Sequence, residues 1–244
     1  MSKEKYAVVI PARYNSSRFP GKPLANLCGK PMIQHVWERC CQAVGADKVY
    51  VATDNDEIER VVLKIGGSII RTSSECLTGT DRLAEANKTL DCDFIVNVQG
   101  DEPMISPSDI KTIVETYKNG DGSILNAMCR ITEQTEFFSL TVPKVVFDQY
   151  GKLLYMSRAG IPLTKEGEFN YGFKQVCIYA FSKEQLSFFA SKNKKSELES
   201  VEDIEILRFL ESGYDIKMIE VSSGSIAVDV PEDLKKAEIL ILES

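Results

Sequence analysis

At 244 residues, with 43% hydrophobic side chains, the chain has enough apolar content to fill one large α/β core, which argues against disorder. A formal charge of −7 argues against sequence-independent nucleic-acid binding, which needs a basic face against the phosphate backbone. No apolar run is long enough to cross a bilayer, and the opening MSKEKYAVVIP reads as a strand, so a cytoplasmic protein without nucleic-acid or membrane partners is expected.

Residues 7–10 form a short continuous apolar run of the kind found in parallel strands buried on both faces, and Pro11 ends it. The loop that follows gathers Arg13, Arg18, Lys22 and Lys30 among Asn15, Ser16, Ser17, Pro20 and Gly21, before residues 31–41 take up helical spacing. Strand, basic loop, helix is an order suited to polyphosphate. The chain has neither G-x-G-x-x-G nor a Walker A loop, so the grip must rely on side-chain cations.

Residues 48–53 read as a second strand, 56–64 as a helix stopped at Gly66-Gly67, and 68–72 as a third strand. The loop Thr78-Gly79-Thr80-Asp81-Arg82 opens a helix through Ala86, and 94–98 reads as a central strand. This βα alternation predicts a doubly wound, mostly parallel α/β sheet with ligands at the carboxyl ends of its strands. The basic loop and the turn Gln99-Gly100-Asp101-Glu102-Pro103 both fall there. From Ser123 the texture changes to longer extended runs, at 124–131, 144–148, 153–158 and 176–181, which favour antiparallel strands. Residues 197–212 read as an acidic helix, 216–221 as a strand and 231–241 as a terminal helix. The expected organisation is one domain over 1–244, with 123–190 a β-rich antiparallel flap for a second substrate and for dimer contact.

Seven cysteines, an odd count with no C-x-x-C pair, read as small core residues rather than a disulfide framework. The single histidine, His35, lies between Ile33 and Val36 on the first helix, which argues against His-based metal sites and Ser-His-Asp triads. Two aspartates stand out instead. Asp101 follows the strand FIVNV, and Asp229 follows SIAV before a proline. Each could cap the turn or helix after it. Together, beside a basic loop, they suit Mg²⁺, which takes one or two carboxylates with phosphate oxygens and water.

Taken in order, IPARYNSSRFPGKPL, VATDNDEI, TGTDRLAEA, VNVQGDEPMI, KVVFD, LYMSRAGIP and VDVPEDL resemble the successive motifs of the 3-deoxy-manno-octulosonate cytidylyltransferases, the CMP-KDO synthetases of lipopolysaccharide and capsule assembly. The first motif is shared with other CMP-sugar synthetases; QGDEPMI, SRxxIP and VDxPEDL are more diagnostic. The resemblance implies a Rossmann-like nucleotidyltransferase, usually a homodimer, that transfers CMP from CTP to the anomeric hydroxyl of a 2-keto-3-deoxy sugar acid, releases pyrophosphate and requires Mg²⁺. It further implies catalytic roles for Arg13, Lys22, Asp101 and Asp229, the two aspartates being the metal ligands. By the same resemblance Arg13, Ser17, Arg18, Lys22 and Arg82 bind CTP, and Gln99, Arg158, Gln175, Tyr179, Glu205 and Ile206 form the sugar-acid pocket.

The pocket departs from the family pattern. Where the family carries H-x-G-I-Y the chain reads Gln175-Val176-Cys177-Ile178-Tyr179, and where it carries L-E-Q-L-R the chain reads Ile204-Glu205-Ile206-Leu207-Arg208. A buried hydroxyl left unpaired costs about 1–3 kcal/mol, so two lost polar contacts bear on which acid is used. KDO is the expected substrate. The alternative is the same chemistry on a modified octulosonic acid, such as the 8-amino form, or on a nonulosonic acid.

Overall fold

The computed structural model describes residues 5–15, 19–192, 194–222 and 226–243. Its first strand, β1 (Tyr6–Ala12), sends Ala7 and Val9 to one face and Val8, Ile10 and Ala12 to the other, all buried. A strand buried on both faces needs cover on both, and the elements that follow supply it. A two-stranded ribbon, β2 (Asn26–Leu27) and β3 (Lys30–Pro31), leads into α1 (Met32–Val44). Next come β4 (Val49–Thr53), α2 (Asp56–Lys64) and β5 (Ser68–Arg71). Asn55 starts α2 by accepting from the Glu57 and Ile58 amides at 2.9 and 3.0 Å. Helix α3 (Gly79–Asn87) opens on a capping box of Thr78 and Asp81 and is followed by β6 (Phe94–Val98).

Then come α4 (Pro107–Lys118), β7 (Ile124–Arg130), α5 (Gln134–Phe138), β8 (Lys144–Phe147) and β9 (Leu153–Ser157). The chain ends with β10 (Phe173–Ser182), α6 (Lys183–Ser191), α7 (Glu197–Glu202), α8 (Leu207–Glu211), β11 (Ile216–Glu220) and α9 (Pro231–Glu243). The sheet order is β11-β7-β10-β6-β1-β4-β5. Strands β5, β4, β1 and β6 run parallel, β10 inserts antiparallel between β6 and β7, and β11 pairs parallel with β7. The hairpin β8–β9 is antiparallel and attaches to the start of β10. The fold is thus the expected α/β architecture, a mostly parallel sheet with a small antiparallel part.

One core layer packs Leu83 and Ala86 of α3, Leu186 and Phe189 of α6 and Phe209 of α8 against the sheet. The other packs Ile33, Val36 and Cys40 of α1, Ile58 and Val62 of α2 and Ile110 and Ile113 of α4. A third, small cluster of Leu27, Met32, Val228 and Ala237 pins α9 to the ribbon. His35 donates from Nε2 to the Leu27 carbonyl at 2.8 Å, tying α1 to the same ribbon.

The structure differs from the sequence expectation in several places. Pro11 does not end the first strand, which stays paired with β4 through Ala12, and helices α4, α5 and α6 were not anticipated. The acidic helix expected over 197–212 is two helices, because Asp203 adopts φ +52° and turns the chain between them. No helix among the described residues is long and apolar enough to cross a membrane.

Candidate active site

The carboxyl ends of β1 and β6 open onto a cavity of about 750 Å³, the ligand edge expected of a parallel sheet. Gly100 lets the two ends approach: a Cβ there would stand 3.1 Å from the Pro11 carbonyl. The turn delivers Asp101 to the cavity, and the Asp101 carbonyl accepts from the Val228 amide at 2.8 Å. That single main-chain bond docks 226–229 beside the turn and brings Asp229 to Asp101.

Lys22 meets both carboxylates. Its ammonium lies 2.8 Å from Asp101 Oδ2 and 3.4 Å from Asp229 Oδ1, on a side chain only 14% exposed. Burial alone would lower the Lys22 pKa, but the charges of Asp101 and then Asp229 outweigh it and raise it. Lys22 reaches this position from a short 3₁₀ turn (Lys22–Leu24) entered through Gly21 at φ +71°, a conformation that suits glycine. At the start of α9 it is Asp233 that takes the Asp229 and Val230 amides, at 3.1 and 3.2 Å. Among the described residues no group of three or more His, Cys, Asp or Glu side chains forms a closed metal cage. Two carboxylates converging on one cation are instead the donor set that Mg²⁺ uses when phosphate and water complete its shell, and the Lys22 ammonium is the cation between them here.

The other residues expected to bind CTP divide, as does Gln99, expected in the sugar-acid pocket. Arg13 is exposed on the cavity wall and Gln99 lines it beside Gly79, while Ser17 and Arg18 lie outside the described residues. Arg82 also borders the cavity, but it is 3% exposed and committed to the scaffold, donating to Thr72 Oγ1 at 2.5 Å and pairing with Asp54 at 3.2 Å. Lys30 does not join the group; it pairs with Glu38 at 2.8 Å.

The far end of the cavity is built on a bulge in β10, where the register with β7 slips between Val176 and Tyr179. Asn126, fully buried on β7, donates to the Val176 and Ile178 carbonyls, both at 3.0 Å. Glu102 accepts from the Cys177 amide at 2.8 Å, and the Gln99 amide donates to the Cys177 carbonyl at 3.2 Å. The bulge presents Gln175, Cys177 and Tyr179 to the cavity. Gln175, in the position of the family histidine, donates from Nε2 to Asn126 Oδ1 at 2.9 Å. Burial pushes the Tyr179 hydroxyl well above its ordinary pKa.

Arg158 and Glu205 also line this end. Glu205 is drawn away from solvent by the start of α3: its carboxylate accepts from the Gly79 and Thr80 amides at 3.1 and 2.8 Å and from Thr80 Oγ1 at 2.5 Å. Burial raises its pKa despite those bonds. Ile206 does not reach the cavity. The turn at Asp203 sends Ile204 and Glu205 to the cavity wall and Ile206, 1% exposed, into the core with Leu207 and Phe209. Sequence reasoning passed over Glu102, Asn126 and Lys144, although a polar or charged residue inside an apolar strand run, as in ILNAMCR and KVVFD, is itself a signal of a buried partner.

A family model described as Cytidylyltransferase matches residues 7–218. Among similar proteins, 3-deoxy-manno-octulosonate cytidylyltransferase 2 of Hydrogenovibrio crunogenus is 41% identical over 97% of this chain and 98% of its own length. The 8-amino-3,8-dideoxy-manno-octulosonate cytidylyltransferase of Shewanella sediminis is 42% identical over 95% of this chain and 96% of its own. The solved structure of CMP:2-keto-3-deoxy-manno-octonic acid synthetase complexed with CTP superposes with a TM-score of 0.90 at 38% identity, covering 98% of this chain and 99% of that one. With the whole sheet and both ends of the cavity inside these matches, the chain belongs to the cytidylyltransferases, in the 3-deoxy-manno-octulosonate cytidylyltransferase family.

Proposed function

We propose that this cytidylyltransferase transfers CMP from CTP to the anomeric hydroxyl of 3-deoxy-manno-octulosonate, releasing pyrophosphate, with Mg²⁺ as its cofactor. The observation that carries the proposal is the convergence of Lys22, Asp101 and Asp229 in the same cavity as Arg158, Gln175 and Tyr179. Arg13 and Lys22 supply positive charge for a triphosphate, and Arg158 supplies a guanidinium for the carboxylate of the sugar acid. Asp101 and Asp229 would hold Mg²⁺, which when bound polarises phosphate and lowers the pKa of a coordinated hydroxyl. Little else is asked of the protein, because phosphoryl-type transfer depends on alignment and charge stabilisation. That agrees with the only histidine being spent on the Leu27 carbonyl.

A second substrate, the 8-amino-3,8-dideoxy acid, is supported by the Shewanella relatives and by Gln175 standing where the family carries histidine. The enzyme acts as a cytoplasmic homodimer supplying lipopolysaccharide or capsule assembly. Support for a second copy comes from the large apolar side chains left exposed around the β8–β9 hairpin, Leu140 at 68%, Leu154 at 55% and Tyr171 at 51%. The test is pyrophosphate release with each nucleoside triphosphate and a panel of 2-keto-3-deoxy acids, with and without Mg²⁺. Release confined to CTP, one of the octulosonic acids and Mg²⁺ is expected. CTP binding without release on any acid would overturn it.

A further inference from the structure

Lys144, the first residue of β8, has no exposed surface, and among the described residues no carboxylate forms an ion pair with it. Its ammonium donates instead to main-chain carbonyls: Ser139 at 2.7 Å, Val142 at 2.5 Å and Arg158. Arg158 reciprocates. Its guanidinium donates to the carbonyls of Glu202 at 2.5 Å, Asp203 at 3.0 Å, Leu140 at 3.1 Å and Thr141 at 3.4 Å, and its amide donates to the Glu202 carboxylate at 2.9 Å. Two cations therefore stitch together 139–142, the end of β9 and the turn after α7, three segments that all border the far end of the cavity.

We propose that Lys144 is a positioning residue for sugar-acid binding, holding the carbonyl frame in which the Arg158 guanidinium is presented to the substrate carboxylate. The proposal rests on the assignment of Arg158 to that carboxylate. An unpaired buried ammonium is a costly way to fasten a loop. Its cost is visible in the pKa of Lys144, which burial and then the Arg158 charge push down to about 8. The charged groups around it are Glu136 on α5, Arg158 after β9, Lys174 on the neighbouring β10 and Glu202 on α7; the carboxylates of Glu202 and Glu136 act in the opposite sense. Because the folded-state pKa is depressed, the folded protein binds fewer protons than the unfolded one between pH about 8 and 10.5, so this lysine adds stability as pH rises through that window. Sugar-acid affinity moves the other way, since the proton lost is one of three donors holding the frame.

Steady-state KM for the sugar acid, kcat, and CTP affinity measured without the acid are compared for the wild type, Lys144→Met and Arg158→Ala from pH 6.5 to 9.5. The wild-type KM for the acid is expected to be flat below pH 8 and to rise above it while CTP affinity holds. Lys144→Met is expected to raise that KM at least tenfold at every pH, abolish its rise above pH 8, and leave CTP affinity within twofold. Arg158→Ala raising KM while Lys144→Met does not would sink the role of Lys144 and spare the site assignment. Arg158→Ala without effect would remove both. If Lys144→Met fails to fold, Lys144→Gln, which keeps two donors without the charge, takes its place, and a sugar-acid KM within twofold of wild type in that variant overturns the proposal.

Discussion

Charge sign at single residues decides the end of the cavity proposed to take CTP. Asp101 and Asp229 would repel one another without a cation, and Lys22 supplies one at 2.8 and 3.4 Å. Asp101→Asn keeps the shape and the turn but removes one of the two carboxylates proposed to hold Mg²⁺, so turnover is expected to fall about 10³-fold, of the order seen when a charge-stabilising group is removed. Circular dichroism and thermal melting should show an intact fold; activity surviving at ordinary Mg²⁺ would refute the metal assignment. Ile206 makes the opposite case. Restoring the family glutamine by Ile206→Gln places an amide in an apolar core, and the expected outcome is about 2–4 kcal/mol of destabilisation in denaturant melts. The ratio of kcat/KM for the two octulosonic acids should not change, whereas Gln175→His, on the cavity wall, should change it.

Among the elements, those with one strong local pattern were legible. β1, β4 and β6 are apolar runs, and Asp101 was found because it follows one of them. Helix α4, although not anticipated, carries its own signal, Pro107 in its first turn and Ile110, Ile113 and Val114 at helical spacing. β10 runs into α6 with no glycine or proline between them, so the capping pair Ser182 and Gln185 is the only mark of the boundary. The turn at Asp203 and the bulge in β10 could not be read locally, because each is held by residues distant in sequence. Arg158 binds the Asp203 carbonyl and Lys195 its carboxylate, and Asn126 satisfies the carbonyls that the bulge leaves unpaired. Asn126→Ala strands two buried carbonyls and the Gln175 amide. It is expected to cost about 2 kcal/mol and to raise KM for the sugar acid several-fold, with CTP affinity unchanged. Loss of stability with an unaltered KM would show that the bulge carries no binding residue.

At the scale of the whole molecule, the halves of the cavity are joined through a buried ion network on the α3, α6 and α8 side of the sheet. Arg208, 1% exposed, forms a two-pronged pair with Glu199 at 2.6 Å on each nitrogen, stacks over Phe189 at 3.6 Å and reaches Asp81 at 3.2 Å. Asp81 belongs to the cap of α3, whose first amides hold the Glu205 carboxylate, while α7 and α8 flank the turn that carries Glu205 to the cavity wall. The network thus braces from behind the start of α3 and the turn that carries Glu205, which meet at the cavity, and none of its members lines the cavity itself. Arg208→Met leaves the fully buried Glu199 without its counter-charge, a loss of about 3–5 kcal/mol that lowers Tm by roughly 10 °C in a chain of this size. Adding Glu199→Gln to that variant removes the stranded charge and should return more than half of the lost stability. If the double variant melts as low as the single one, what Arg208 contributes is packing and hydrogen bonding to the Asp81 cap, not neutralisation of Glu199. If it recovers its Tm yet turns over more slowly, the network sets the geometry between the two halves of the cavity.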